Sequence, residues 1–522
     1  MLGLIIRCIF LIATKIVEGL TLMTSTVYYF QNIKRCPAIK DDIIFYPAYI
    51  LTDKIRKREL SSEAVVRAYI NRIKEVNPIL NAVVEDRFES AIIEARRTDE
   101  MLAVTNMSVD ELKQQYPLIG IPITIKESIA VEGMSHSAGK VFPTKKIAAR
   151  DAEIVKLCRE AGAIPIAVTN TPELCINFES YNKVVGKTCN PYDSRRSPGG
   201  SSGGEAALLG SGASVVGLGS DIYGSVRLPA HYCGVWGHKP SANIVSVDGH
   251  YPDCKHEKEW NEVFNLGPMS RYAPDLQLLM NVILKRSYIS LIQLNTPVYL
   301  PNLKLYYMEN DNGSMLTHPV DKDILHALKR LVTHMASKYG CRTQQLDMKE
   351  FRYSAELSLM KLCNIDDIEP VFDNNGEGSY GELLRYLTFR SKSVLVPIIC
   401  GIIKNTWGYV PKSVIRHFSE IEAQFKTKLC QTLGSDGVLI YPCHPTTAPI
   451  HGQGLGRIFD YSYLGIFNCL GLPATNCPLG LNSKGLPIGI QIAAAPNNDR
   501  LTLAVAQEIE TAFGGWIPPP SI

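Results

Sequence analysis

From about Pro47 onward the chain alternates two spacings of apolar residues, and no long linker interrupts them. After Ser61 and Ser62, the residues Val65, Val66, Tyr69, Ile70 and Ile73 recur at helical spacing, with Asn77-Pro78 as the expected stop. Phe88, Ala91, Ile92 and Ala95 mark a second helix. Ile119, Ile121, Ile123 and Ile125 alternate at period two, which predicts a strand. Asp151 is placed to cap a helix ending near Gly162, and Ala163–Val168 reads as a buried strand after it. Asp321 to Tyr339 reads as a helix with Gly340 as its stop. Strands follow at Gly437–Tyr441 and Ile488–Ala493, and a closing helix at Leu501–Ala512. Strands alternating with helices predict an α/β fold, a sheet with helices on its faces. The apolar run Val394–Ile403 has two readings: a core helix kinked at Pro397, or a surface patch facing membrane or the mouth of an apolar substrate site.

The first thirty residues depart from this pattern. Met1 to Phe30 carries only Arg7, Lys15 and Glu18 as charges, yet no charge-free run in it reaches the roughly 18 residues of a clean spanning helix. On a helix turning about 100° per residue, Arg7, Thr14, Lys15, Glu18, Thr21 and Ser25 fall within one arc of about 120°. Ile5, Ile9, Ile12, Ile16, Leu20, Met23 and Val27 lie opposite, and Leu11 and Leu22 interrupt the polar stripe. Residues 1–30 are thus expected to form an amphipathic apolar helix that anchors the chain to a membrane. It would lie in the interface, or span while hiding its polar stripe against a partner, which leaves room for a homo-oligomer. A cleaved signal peptide fits poorly, because the apolar residues come first and no small-residue site follows; an amphipathic helix buried against the body is the remaining reading. For a spanning helix, Lys34, Arg35 and Lys40 favour a cytoplasmic body.

Composition narrows the class of the remainder. Apolar residues are 46% of the 522 and charged residues 20%, ordinary for a soluble core. A formal net charge of +3 carries no basic stripe, so no nucleic-acid partner is expected. Fourteen cysteines are scattered with no C-x-x-C, which predicts reduced thiols and no zinc ribbon.

Chemistry concentrates between Ser197 and Ser241, where two Gly/Ser turns flank a helix pattern and a strand pattern at Ser214–Leu218. The Walker spacing is absent, so no nucleotide cradle is expected. Gly199-Gly200-Ser201-Ser202-Gly203 satisfies G-x-S-x-G, but a polar loop precedes it where a nucleophile elbow needs an apolar strand. His444 and His451 are available for a Ser-His-Asp triad, and nothing in the spacing selects either.

Another constellation fits. Ser201-Ser202 is followed 24 residues later by Ser225, and Lys126 stands far upstream at the end of the isoleucine strand. These residues, in GGSSGGE, GSDIYGSVRLPA and PITIKES, resemble the amidase signature family, which uses a Ser-Ser-Lys triad. By that resemblance Ser225 is the nucleophile, Ser201 the bridging serine on a cis peptide bond, and Lys126 the base. The N–H groups of Ile222, Tyr223, Gly224 and Ser225 form the oxyanion hole. The chemistry is coherent. A serine hydroxyl needs a base within reach, burial can bring a lysine toward neutrality, and a serine between them can accept and donate one proton. Ser202, Asp221 and Arg227 are expected to support the turns, the last two by pairing. No metal or organic cofactor is expected.

The resemblance covers about residues 50–516 and extends to NPYDSRRSPGGSSGGE, GVWGHKPS and GLPATNCPLGLNSKGLPIGIQIAAAP. It is strongest with the membrane-tethered fatty-acid amide branch. It implies one catalytic domain, a large twisted mixed sheet covered by helices, that hydrolyses fatty-acid amides. Two alternatives stand beside it: one is a glutamine-dependent amidotransferase component, the other a weakened member that binds lipid amides. The second rests on one departure. The family pattern Asp-x-Gly-Gly-Ser is here Asp221-Ile222-Tyr223-Gly224-Ser225. If position 223 needs positive φ, tyrosine strains an oxyanion donor; if not, its ring lines the acyl pocket.

Overall fold

The computed structural model describes residues 2–254, 257–365 and 378–521. The isoleucine strand forms over Pro122–Lys126, a little shorter than its alternation suggests, and all five residues are buried. Burial on both faces follows from its place in the sheet. Its neighbours Ile164–Thr169 and Val216–Asp221 both run parallel to it, and helices cover the layer. Thr124, the polar position within the alternation, is accommodated by hydrogen bonds to Glu205 and Ser214.

Among the described residues eleven strands build one mixed sheet. Its spatial order is Val83–Asp86, Ile164–Thr169, Pro122–Lys126, Val216–Asp221, Asn265–Ser270, Trp236–Lys239, Ala474–Leu481, Pro487–Ala494, Gly437–Pro442, Lys304–Tyr307 and Arg342–Gln345. The register sets Ile125 beside Leu218, so the carboxyl ends of two parallel strands lie side by side. Such ends are where α/β sheets place their ligands.

Several boundaries differ from expectation. The helix after Ser61 runs over Ser62–Leu80 with Pro78 inside it, and Asn81 ends it in the left-handed region. Asp151 does not cap the next predicted helix. Ala152 is the N-cap, and the Asp151 carboxylate instead accepts from the Glu132 N–H. The helix Leu395–Thr406 begins so that Pro397 falls in its first turn, where a missing N–H costs nothing and no kink is required.

The N-terminal helix spans Leu2–Tyr29. Among the described residues no helix is long and apolar enough to cross a membrane. The side chains of Ile5, Arg7 and Ile9 lie outside those described. In the rest, the polar stripe turns inward except at Lys15, which stays exposed. Ser25 is buried and its hydroxyl accepts from Gln453 at 3.1 Å. Glu18 meets His318 at 3.0 Å, and His318 in turn meets Asp460 at 2.9 Å. Tyr28 meets Lys187. The opposite row, Ile12, Ile16, Leu20, Met23 and Val27, is 56% to 72% exposed. The partner that hides the stripe is the chain's own body.

Candidate active site

Lys126 ends its strand fully buried, with Nζ 2.5 Å from Ser201 Oγ and 2.8 Å from Ser220 Oγ. Burial pushes its amine below the ordinary lysine range, and Cys175, Asp221 and Glu205 pull it part of the way back. Ser201 follows a cis peptide bond from Gly200. Ser202 opens the helix Gly203–Gly210, and its N–H donates to the Ser225 carbonyl at 3.1 Å. That bond fastens the two Gly/Ser turns together and sets Lys126, Ser201 and Ser225 in one neighbourhood. Ser201, Ser220 and Ser225 line the same cavity of about 260 Å³, whose walls are largely apolar: Ile222, Leu359, Leu362, Val396 and Ile403 contribute.

The turn after the strand Val216–Asp221 is held from below. The buried Asp221 carboxylate accepts from the Gly224 and Val226 N–H groups at 2.8 and 3.1 Å and pairs with Arg227 at 3.1 Å. Burial alone would raise this carboxyl, but the Arg227 guanidinium and Asn468 hold it at about 2. Arg227 also reaches Gln491, Asn468 and the Leu464 carbonyl. The pair therefore fixes the Ser225 turn to the sheet and to the helix Ser462–Cys469. The Ser201 turn is tied to the Ser225 turn by the Ser202 bond and not by this pair.

Of the four expected oxyanion donors, the Gly224 N–H is already occupied by Asp221. Ile222, Tyr223 and Ser225 have N–H groups with no protein partner among the described residues. Gly224 has φ +102°, and a Cβ there would stand 2.5 Å from Leu464, so glycine is required at that position. Tyr223 is not among the residues with positive φ. Its half-buried ring lines the cavity beside Phe178, with ring centroids 6.0 Å apart.

His444 and His451 are buried away from this cavity, and His250 is the histidine that lines it. Sequence reasoning missed Ser220, Cys175 and Glu205. Glu205 is buried next to Lys126, accepts from Thr124 and Thr169, and is raised by burial to about 8. Ser220 and Glu205 both lie inside the quoted motifs, GSD and GGE, so their neighbourhood was the available signal.

This arrangement has relatives. The amidase family model matches residues 64–503. The chain belongs to the amidase family. Among curated amidase relatives, human fatty-acid amide hydrolase 2 is 40% identical over 490 residues, 92% of this chain and 91% of that protein. Fatty-acid amide hydrolase 2-B of Danio rerio is also 40% identical, over 93% of both chains. A glutamyl-tRNA(Gln) amidotransferase chain of Caldanaerobacter subterraneus is more distant, 27% identical over 490 residues, 90% of this chain and 97% of that protein. A solved fatty acid amide hydrolase shares the fold at a TM-score of 0.72 and 21% identity, covering 91% of this chain and 86% of that one. The mixed sheet and its covering helices are thus those of an amidase, and position 223, where the resemblance implies a glycine, holds tyrosine.

Proposed function

We propose that this amidase hydrolyses fatty-acid amides to fatty acid and amine through Ser225, Ser201 and Lys126. Ser225 attacks the amide carbonyl. Ser201 takes the Ser225 proton and passes its own to Lys126, which burial keeps ready to accept it. The oxyanion is met by the N–H groups of Ile222, Tyr223 and Ser225. The proton returns through Ser201 to the leaving nitrogen, and water then hydrolyses the acyl-enzyme by the same relay. The observation that carries this reading is the 2.5 Å contact between Lys126 and Ser201 at the edge of an apolar cavity that Ser225 also lines.

The apolar walls favour an alkyl chain over glutamine, which would need polar partners there. The ordinary φ of Tyr223 removes the strain on which the weakened-member reading rested. The outward row of the N-terminal helix is suited to lie in a membrane interface. Leu384, Leu387 and Phe389 are also exposed, and the short hairpin Tyr181–Lys187 joins their segment to that helix through Lys183 to Ser391 and Lys187 to Tyr28.

The test is oleamide hydrolysis together with labelling by an alkyl fluorophosphonate. The wild-type chain is expected to do both, and Ser225→Ala to lose both. Labelling that persists on another serine in that variant overturns the assignment.

A further inference from the structure

Glu205 stands between the two segments that carry Lys126 and Ser201. It is the third residue of the helix Gly203–Gly210, which begins directly after Ser201 and Ser202, and it is fully buried. Its carboxyl spans to the strand that ends at Lys126. Oε2 lies 2.7 Å from the hydroxyl of Thr124, two residues before Lys126 and so on the same face of the sheet. Oε1 lies 2.9 Å from the hydroxyl of Thr169, the residue paired with Lys126 on the neighbouring strand. Gly217 faces Thr124 from the other side and leaves the space, because a Cβ there would overlap Glu205 Oε2.

The hydroxyls beside this carboxyl are one hydrogen short. Thr124 Oγ1 lies between Glu205 Oε2 and Ser214 Oγ, the latter at 2.8 Å. Ser214 donates its own hydrogen to the Val216 carbonyl at 3.0 Å. If Glu205 is a carboxylate, Thr124 has one hydrogen for two acceptors. A proton on Oε2 completes the row: Glu205 donates to Thr124, Thr124 to Ser214, and Ser214 to Val216. Thr169 donates to Oε1 in either case. Burial favours the same form by raising the carboxyl, and Lys126 is the ionisable neighbour that pulls it part of the way back.

We infer that Glu205 is a positioning residue for amide hydrolysis, a neutral acid that ties the Ser201 helix to the Lys126 strand and so sets the contact between Lys126 and Ser201. The inference rests on the preceding reading of Ser225, Ser201 and Lys126. The neutral form matters to the base. An anion at this place would favour the Lys126 ammonium, as Cys175 and Asp221 already do, and would hold the lysine away from the form that accepts a proton. A neutral carboxyl makes both ties without that effect.

The experiment follows oleamide hydrolysis across pH in the full chain, in Glu205→Gln and in Glu205→Ala. The glutamine amide can accept from Thr169 and donate to Thr124, so Glu205→Gln is expected to keep kcat within about threefold and to leave the rising pH limb in place. Glu205→Ala loses both ties and is expected to lose about 10²-fold in kcat with KM little changed, as a small misplacement of reacting groups does. Should Glu205→Ala fail to fold, Glu205→Asp, an acid of shorter reach, replaces it with the same expectation. A limb moved to lower pH in Glu205→Gln would mean that an anion had been removed, and overturns the inference. So does wild-type kcat in the folded alanine or aspartate variant. Infrared difference spectra of the wild-type chain against Glu205→Gln are expected to hold the carbonyl stretch of a protonated carboxyl at neutral pH, and its absence also overturns the inference. That band is read without substrate. A wild-type chain inactive toward oleamide thus counts against the preceding proposal, and a missing band or a moved limb in an active chain counts against this one.

Discussion

The Tyr223 ring covers Gly465 so closely that a methyl on Gly465 would stand 2.5 Å from the ring's Cε2. A bulky residue in the Ser225 turn is thus matched by a missing side chain on the facing helix. Gly465→Ala is expected to displace the ring and destabilise the fold by about 1–3 kcal/mol, as overpacking does. Tyr223→Gly should leave kcat within about tenfold, since no strained backbone is relieved, and should admit bulkier acyl chains. Steady-state kinetics over a series of acyl amides measure both. A hundredfold rise in kcat for Tyr223→Gly would restore the weakened-enzyme view.

In the proposed relay Lys126 is the base, and it should set the pH profile. Lys126 must be neutral to accept a proton, and burial lowers its pKa from the usual lysine value. The rate should therefore rise with pH through that lowered pKa and level off above it. Lys126→Met should lose about 10²- to 10⁴-fold in kcat and flatten this limb. A variant that keeps the wild-type limb assigns it to another group.

Removing Arg227 strands a charge. Asp221 and Arg227 are both fully buried, and Arg227→Met leaves the carboxylate unpaired, a loss of about 3–5 kcal/mol in denaturant unfolding. The pair also predicts an acid limb. Asp221 sits at about 2 when folded against about 3.9 unfolded. Its stabilisation is present above the unfolded value and is lost as pH falls through the folded one. Asp221→Asn should remove that part of the acid dependence.

The N-terminal helix should loosen with alkali. His318 is raised, first by its hydrogen bond to Asp460 and also by Glu18. A raised folded pKa gives stability that is full below the unfolded value and disappears as pH rises through the folded one. Limited proteolysis near residue 31 should accelerate across that range, and His318→Gln should remove the dependence.

The outward row of that helix is expected to bind bilayers. Leu20→Glu combined with Met23→Glu should reduce co-sedimentation of the full chain with phosphatidylcholine vesicles while leaving oleamide hydrolysis in detergent intact. Unchanged co-sedimentation would place attachment elsewhere.

Local periodicity was enough to locate most elements. Val65 to Ile73, the isoleucine strand and the run before Gly340 carry their own spacing, and the Gly/Ser turns marked the site. What escaped depends on partners distant in sequence. Nothing near Arg227 announces Gln491 or Asn468, and nothing near Lys126 announces Cys175, because those meetings are made by the sheet order. The N-terminal stripe was visible from spacing, but which side the body would occupy was not. That is decided by Gln453, His318 and Lys187, each more than 150 residues away.

The inward polar stripe has a practical consequence. Cutting away the first thirty residues to gain solubility would remove an apolar row, but it would also uncover the seat that row's helix fills. Gln453 would lose Ser25 and Tyr29, His318 would lose Glu18, and the chain that follows Gln453 forms part of the cavity wall through Ile458 and Phe459. The shortened protein is expected to have a disturbed cavity wall, and a substrate preference measured on it would not describe the chain with that helix in place.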